Sequence, residues 1–312
     1  FDIAKTEKKE ADYIPQNTTW IKEAVATFSP EKNTVTCTNG TDITYDYMVV
    51  CPGIQLDWNK IEGLTKTLGK NEVSSNYSFD TAPYTWELIK NFKGGTAVFT
   101  NPSTPIKCGG APHKIMYLAC DYWRKKGILD QCDVHYVSGA GVIFGVPEYA
   151  ETLKKKVAEY NIKVHFGANV TAIDGNSKTI FFESKEQPKD LETKFSTLQA
   201  SCYGISEVQE EASTSKVSLN FDICHTVPPQ SAPDFIKNSP LRDENNPLGY
   251  VEIDKHSMQH SSFKNIFALG DCTNAPCSKT GAAIRKQAPV VVENLIQLMT
   301  NHPITASYDG YS

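Results

Sequence analysis

The stretch 265-NIFALGD-271 forms an apolar strand that ends in Gly270-Asp271, and a helix is predicted after it from Thr280 to Met299. Ligands of open α/β sheets bind outside the carboxyl ends of the strands. There, Gly270 lets the backbone approach a ligand closely and Asp271 accepts a hydrogen bond from a hydroxyl. A simple Gly-Asp turn is the alternative for these two residues taken alone. The stretch therefore favours a ligand-binding strand end in an α/β protein.

A second strand end lies far upstream, where Tyr45–Cys51 is followed by Pro52-Gly53. The strand is nearly continuous in apolar residues, which predicts burial on both faces, as in a parallel sheet. Two such strand ends on either side of an inserted βαβ block are what a split flavin domain would show. Pro52, Gly53, Gly270 and Asp271 are therefore candidate cofactor-binding residues.

Strands and helices alternate between these two strand ends, which predicts βαβ units and a parallel sheet. Before them, residues 17–55 contain short strands with a hairpin turn at Asn39-Gly40. The predicted helices are Pro83–Phe92, His113–Lys126 and Glu148–Tyr160, and the predicted strands are Thr96–Thr100, Val134–Val137, Lys163–Phe166, Thr179–Phe182 and Phe221–Val227.

Length and composition are those of an ordinary globular protein. The 312 residues suggest about two domains, and 40% hydrophobic and 21% charged residues exclude a disordered chain, a coiled coil and a collagen-like fibre. A net charge of −5 gives no basic surplus, so nucleic acid is not expected as a partner. We expect a partial FAD-binding domain at 1–80, a second Rossmann-like domain at 81–230 with a surface insertion at 187–216, and a return to the first domain at 231–312. The fold class is α/β, with two Rossmann-like domains of which the first is incomplete.

No GxGxxG motif occurs in the chain. After Thr96–Thr100, where a second dinucleotide-binding domain would place its phosphate-binding glycines, residues 101–112 contain three prolines and a cysteine. The GxGxxxG spacing of Gly139, Gly141 and Gly145 favours a plain loop. A nicotinamide site is therefore disfavoured.

Cys108 is the candidate catalytic thiol among nine cysteines. It lies beside Lys107 and just before a predicted helix, and both a cation and a helix N-terminus favour a thiolate. A buried structural cysteine is the alternative. The cysteines form no CxxC and the histidines no HExxH, so no metal site is predicted. His225, before Pro228-Pro229, is the histidine of most interest.

The chain resembles the sulfide:quinone oxidoreductases of the eukaryotic, mitochondrial type, which belong to the FAD-dependent pyridine nucleotide-disulfide oxidoreductase superfamily. The resemblance runs from about residue 14 to the end, except for 187–216. The stretches that carry it are Tyr45–Leu56 (YDYMVVCPGIQL), Pro105–Leu118 (PIKCGGAPHKIMYL), Val142–Val146 (VIFGV), His225–Pro229 (HTVPP), Ile266–Ala283 (IFALGDCTNAPCSKTGAA) and Tyr308–Tyr311 (YDGY).

The resemblance implies FAD in the first domain and a second dinucleotide fold that has lost nucleotide binding. Cys108 matches the first of two redox cysteines, Val25 and Lys279 match FAD-contacting positions, and Asp271 matches the flavin-proximal acid. Hydrogen sulfide would open a disulfide-level bond to give a persulfide, electrons would pass through FAD to a ubiquinone-type quinone, and a small acceptor such as glutathione or sulfite would remove the sulfane sulfur. The family associates peripherally with the mitochondrial inner membrane.

The chain also departs from the family. It lacks the family's first βαβ unit with its GxGxxG, the membrane-binding C-terminal segment, and the second cysteine, which would fall just after Ser312. We therefore expect a piece of a longer protein, which alone would bind little FAD. The alternatives are a flavin-dependent NADH:quinone reductase of the same superfamily and a truncated product that binds partners or nothing.

Overall fold

The computed structural model describes residues 3–184 and 215–312. The strands are β1 (Val25–Ser29), β2 (Thr34–Cys37), β3 (Asp42–Thr44), β4 (Met48–Val50), β5 (Gln55–Leu56), β6 (Val73–Ser74), β7 (Gly95–Asn101), β8 (Cys132–Ser138), β9 (Lys163–His165), β10 (Ala168–Asp174), β11 (Thr179–Ser184), β12 (Ser215–Asn220), β13 (Ile223–His225), β14 (Gln230–Ser231) and β15 (Ile266–Ala268). The α-helices are α1 (Leu64–Thr67), α2 (Ala82–Asn91), α3 (Ala111–Lys125), α4 (Pro147–Glu159), α5 (Asp234–Lys237) and α6 (Gly281–Met299).

The chain divides into two compact units. Unit 1 contains Phe1–Leu56, Pro105–Cys108 and Gln230–Ser312, and unit 2 contains Asp57–Thr104 and Gly109–Pro229. Residues 57–80, which we expected in the first domain, lie in unit 2 because β6 pairs with β13. Cys108 is the last residue of a short segment that returns to unit 1.

Unit 2 is built on a five-stranded parallel sheet in the order β6-β13-β7-β8-β9. Helices α3 and α4 connect neighbouring strands of this sheet, so the predicted βαβ units are confirmed. Trp123 is completely buried beside Phe99, and its indole N–H donates to Ile89 O at 2.9 Å. Strands β10, β11 and β12 form a separate antiparallel sheet.

Unit 1 contains two small sheets that matter for the site. Strands β1, β2 and β3 form an antiparallel sheet whose β2–β3 turn contains Gly40 at a φ of 82°, as the hairpin signal predicted. Strands β4 and β15 pair in parallel, although they are far apart in the sequence. Helix α6 follows β15, and the Thr280 side chain caps it by accepting from Ala283 N at 3.1 Å. In the described part of the chain, no helix is both long and apolar enough to cross a membrane.

The prediction that Tyr45–Cys51 is a strand buried on both faces is wrong in extent and in burial. The strand covers only Met48–Val50, and Val49 is 39% exposed. In the described residues β4 pairs with β15 alone, so the strand is not enclosed as an inner strand of a wide parallel sheet would be.

The longest strands that the sequence missed are β10 and β12. Strand β12 alternates between partly buried and exposed residues, but only Val217 and Leu219 are apolar, and two apolar residues are too short a pattern to predict a strand. Because β12 begins at Ser215, the insertion expected at 187–216 does not extend through its last two residues. The remainder of that insertion lies outside the described residues.

We predict that unit 2 loses stability in mild acid because of His225. This residue is 3% exposed, its Nε2 accepts from Asn76 N at 3.0 Å, and burial lowers its pKa from 6.5 to about 4. Below pH 6.5 the unfolded chain binds a proton that the folded chain excludes until about pH 4, so the free energy of unfolding falls across that interval. Over the whole interval the free energy of unfolding falls by about 3 kcal/mol. Above pH 6.5 the imidazole is neutral in both states, so stability there does not depend on His225.

Urea unfolding measured between pH 4 and 7 tests this expectation. His225→Gln should reduce the proton uptake on unfolding by about one, whereas His302→Gln, at an exposed position, should leave it unchanged. An unaltered pH slope in His225→Gln would show that another group is responsible.

Candidate functional site

The two strand ends singled out in the sequence lie together. Val50 pairs with Ala268 in the parallel ladder, and Leu269 N donates to Val50 O at 3.2 Å. Both following loops turn through a glycine in the left-handed region, Gly53 at a φ of 80° and Gly270 at 79°. A Cβ built on Gly53 would meet nothing within 4 Å, so the space beside this loop is open.

Cys272 packs against both strand ends and has a structural role. It is completely buried, and its Sγ–H lies 3.5 Å from Val50 O and 3.4 Å from Leu269 O. Burial raises the pKa of this thiol to about 12. Cys272 is therefore held as a neutral thiol that packs against the strand ends.

Asp271 and Lys279 form the charged part of the site. Burial raises the pKa of the half-buried Asp271 carboxyl, and the positive charges of Lys279 and then Lys107 oppose that rise. Burial likewise lowers the pKa of Lys279, against the opposing charge of Asp271. The structure therefore brings together two of the predicted cofactor-binding residues and the neighbour of Cys108.

Hydrogen bonds and a cation–π contact also hold the Lys279 side chain in place. It is 8% exposed, and its Nζ donates to Asp271 O at 2.7 Å and to Thr273 O at 3.1 Å. The same Nζ lies 3.7 Å from the centre of the Tyr250 ring, within the range of a cation–π contact. Lys279 thereby fixes the backbone between Asp271 and Thr273, which is the part of the loop that carries the acidic side chain.

Cys108 is exposed and has an unusual backbone conformation, with a φ of 87°. A non-glycine residue in this region costs of order 1 kcal/mol or more, and such residues are concentrated at functional sites. The preceding residue anchors it: Lys107 N donates to Gln230 Oε1 at 2.9 Å, and Lys107 forms a parallel bridge with Lys279. The chain thus presents the Cys108 thiol to solvent directly after a residue that faces Asp271.

Val25 and Pro52 occupy different surroundings. Val25 begins β1 opposite Cys37, where it is partly buried against the hydrophobic core of unit 1. Pro52 is exposed in the loop after β4, next to Gly53. Val25 therefore lies in a separate sheet from the one whose strand ends carry Asp271.

The sequence analysis did not single out Gln287, Cys277 or Tyr250. Gln287 is 1% exposed in the middle of α6, and a polar residue on the buried face of a helix is the signal that could have found it.

A cavity of about 550 Å³ lies beside Cys277 and is also lined by Tyr250, Asn274, Ser278, Lys279 and Pro105. No group of three or more His, Cys, Asp or Glu side chains that could hold a metal ion occurs within 3–184 and 215–312.

Comparison with known proteins gives relatives along the whole chain. The sulfide:quinone oxidoreductase of Dictyostelium discoideum mitochondria is 40% identical over 313 residues, which covers 100% of this chain and 63% of that protein. The crystal structure of the Aquifex aeolicus sulfide:quinone oxidoreductase has a TM-score of 0.67 at 20% identity, covering 91% of this chain and 61% of the other. A chain of the Tetrahymena thermophila mitochondrial ATP synthase structure has a TM-score of 0.76 at 20% identity, covering 99% of this chain and 71% of the other. No family model matches the sequence.

The α/β fold with its parallel sheet is shared with solved oxidoreductase structures, among them the Aquifex protein and an engineered water-forming NADPH oxidase. Over its full length the chain is a relative of the mitochondrial sulfide:quinone oxidoreductases, so the resemblance inferred from the sequence motifs is confirmed.

We predict that Lys279→Met destabilises the loop that carries Asp271. The substitution leaves the carbonyl groups of Asp271 and Thr273 without their buried donor, which costs about 2 kcal/mol. Urea unfolding measures the loss, and Lys286→Met, at an exposed position of helix α6, should change stability by less than about 0.5 kcal/mol. Equal effects of the two substitutions would contradict the assigned role of Lys279.

Proposed function

We propose that this chain is the flavin- and thiol-bearing part of an enzyme that oxidises hydrogen sulfide and passes the electrons through FAD to a membrane quinone. The observation that carries the proposal is the exposed Cys108, held by Lys107 beside the Asp271 loop in a chain whose relatives are named sulfide:quinone oxidoreductase. Because the chain spans 63% of the Dictyostelium relative, the rest of that length would contribute further parts of the site.

The residues present fit a flavin. The carboxyl ends of β4 and β15 adjoin, and Gly53 leaves open space where a side chain would otherwise block close approach. Asp271 offers a carboxylate for a hydroxyl, and Gly53, Gly270, Lys279, Val25 and Pro52 would complete this chain's share of the binding surface. FAD, when bound, would accept two electrons from the thiols and deliver them to the quinone.

Cys108 would act as both leaving group and nucleophile. Hydrosulfide attacks a disulfide between Cys108 and a second cysteine supplied by the rest of the protein, so that one S–S bond forms as another breaks. One sulfur then carries the persulfide and the other is a thiolate. Transfer of the outer sulfur to a small nucleophile such as glutathione or sulfite leaves two thiols. The disulfide re-forms when these lose two electrons.

Two features of the Cys108 segment support this role. The thiol is exposed, so a small anion and a sulfur acceptor both reach it. The neighbouring Lys107 adds positive charge, which favours an anionic substrate and a thiolate leaving group.

In keeping with the names of its relatives, the protein would work in mitochondria. Peripheral association with the inner membrane would bring it to its quinone.

A second candidate is a non-catalytic subunit of a mitochondrial assembly. It is favoured by the likeness to a chain in the Tetrahymena thermophila ATP synthase structure, which has the same fold over 99% of this chain. In that case the Cys108 thiol would have no redox role. An NADH:quinone reductase is disfavoured, because residues 101–112 lack a glycine-rich phosphate loop.

We predict that Cys108→Ser abolishes sulfide-dependent quinone reduction in the full-length protein while FAD remains bound. The serine retains the size and exposure of the side chain but cannot form a disulfide or persulfide, so turnover should fall by about a thousandfold or more. Cys132→Ser, in unit 2 and half-buried, is the matched control and should retain activity. Near-normal turnover by Cys108→Ser would favour a structural role for Cys108 and the non-catalytic alternative.

We predict further that NADH and NADPH do not reduce the bound flavin at a useful rate. Anaerobic mixing of the full-length protein with excess NADH or with sulfide, followed at the visible flavin absorbance band, compares the two donors directly. We expect sulfide to bleach the flavin absorbance band and NADH to leave it unchanged. Rapid bleaching by NADH but not by sulfide would replace the proposed function with the reductase alternative.

A further inference from the structure

Gln287 uses both ends of its amide to connect two loops of unit 1, one at Gly270 and one at Cys277. It is 1% exposed in α6. Its Oε1 accepts from Gly270 N at 2.8 Å, and its Nε2 lies 3.5 Å from Cys277 Sγ, within donating distance of a sulfur. A single buried side chain thus holds the Gly270-Asp271 loop and the Cys277 loop at once.

The C-terminal Tyr308 completes this contact. It is 3% exposed, and burial and then the neighbouring Cys277 thiol raise the pKa of its hydroxyl, while the Gln287 amide opposes that rise. The hydroxyl also donates to Tyr311 O at 2.5 Å, and Tyr308 N donates to His256 O at 2.8 Å. Residues 308–311 are therefore held against the same amide that fixes the loop after β15.

We propose that Gln287 is a positioning residue that couples residues 308–311 and Cys277 to the flavin-binding loop at Gly270-Asp271. This inference rests on the proposed function, because it assigns that loop to FAD. Buried amides whose two ends are both engaged fix the relative position of their partners, since breaking either hydrogen bond leaves a buried polar group unpaired. A displacement of the C-terminal residues would thereby be transmitted to the loop that carries Asp271.

Gln297 provides a matched control within the same helix. Its Oε1 accepts from Thr305 N and its Nε2 donates to Thr305 Oγ1, both at 2.8 Å. It therefore ties α6 to the C-terminal segment with an equal number of hydrogen bonds. Gln297 contacts Thr305 and not Gly270. Its substitution therefore tests whether loss of another link between α6 and the C-terminal segment also lowers the affinity for FAD.

The experiment compares Gln287→Met, Gln287→Glu and Gln297→Met in the full-length protein. The dissociation constant for FAD is measured by fluorescence titration, and the labelling rate of Cys277 by a thiol reagent is followed by mass spectrometry. Gln287→Met removes both hydrogen bonds, so FAD affinity should fall about tenfold and Cys277 should be labelled faster. Gln297→Met should leave both quantities within about twofold of the unsubstituted protein.

Gln287→Glu separates the two ends of the amide. It keeps an oxygen for Gly270 N but loses the donor to Cys277, so FAD affinity should stay within about threefold of the unsubstituted protein. Labelling of Cys277 should become slower, because the new carboxylate disfavours the thiolate. This variant keeps the inference testable if Gln287→Met does not fold.

Three results would overturn the inference. The first is faster labelling of Cys277 in Gln287→Met with unchanged FAD affinity, because Gln287 would then be structural only. The second is an equal loss of FAD affinity in Gln287→Glu and Gln287→Met, because the oxygen contact with Gly270 would then not matter. The third is failure of the unsubstituted protein to bind FAD, which overturns the proposed function itself, while the labelling rates still report whether Gln287 holds Cys277.

Discussion

The parallel pairing of β4 with β15 is the constraint on which the candidate site depends. Met48 pairs with Ile266, and Val50 pairs with Ala268. All of unit 2 lies between these two strands in the sequence, so the pairing joins two segments that are far apart along the chain. Because parallel strands place their carboxyl ends at the same edge, the Pro52-Gly53 and Gly270-Asp271 loops adjoin as a direct result of this register.

Buried polar side chains then fix the shape of these loops. Lys279 donates to two carbonyl groups of the loop after β15, Cys272 lies beneath both strand ends, and Gln287 accepts from Gly270 N. Each of these groups is at most 8% exposed, so an unmade hydrogen bond would cost the full desolvation of its partner. Side chains of unit 1 therefore shape the loop that carries Asp271.

Prediction from the sequence was strongest where periodicity is strong. The βαβ helices and the strands of the parallel sheet follow from apolar spacing, and β7 and α3 lie within one or two residues of their predicted bounds. The burial of Val49 was misjudged because an apolar run indicates burial but does not show how many strands lie beside it. Strand β12 was missed because its alternation contains only two apolar residues. In the candidate site, Cys108 and Lys279 were predicted from motifs, whereas Gln287 belongs to no motif and is identified only by the groups that surround it.

The sequence by itself determined the alternation of strands and helices, the two glycine-containing strand ends and the thiol beside Lys107. These are local properties, set by side-chain spacing and by the conformational freedom of glycine. Only the tertiary structure decided that Lys107 faces Asp271, that Lys279 is buried against Tyr250, and that Gln287 joins Gly270 to Cys277 and Tyr308. Those contacts join residues at least 10 positions apart, and they depend on how β4, β15 and α6 pack, which no local sequence pattern records.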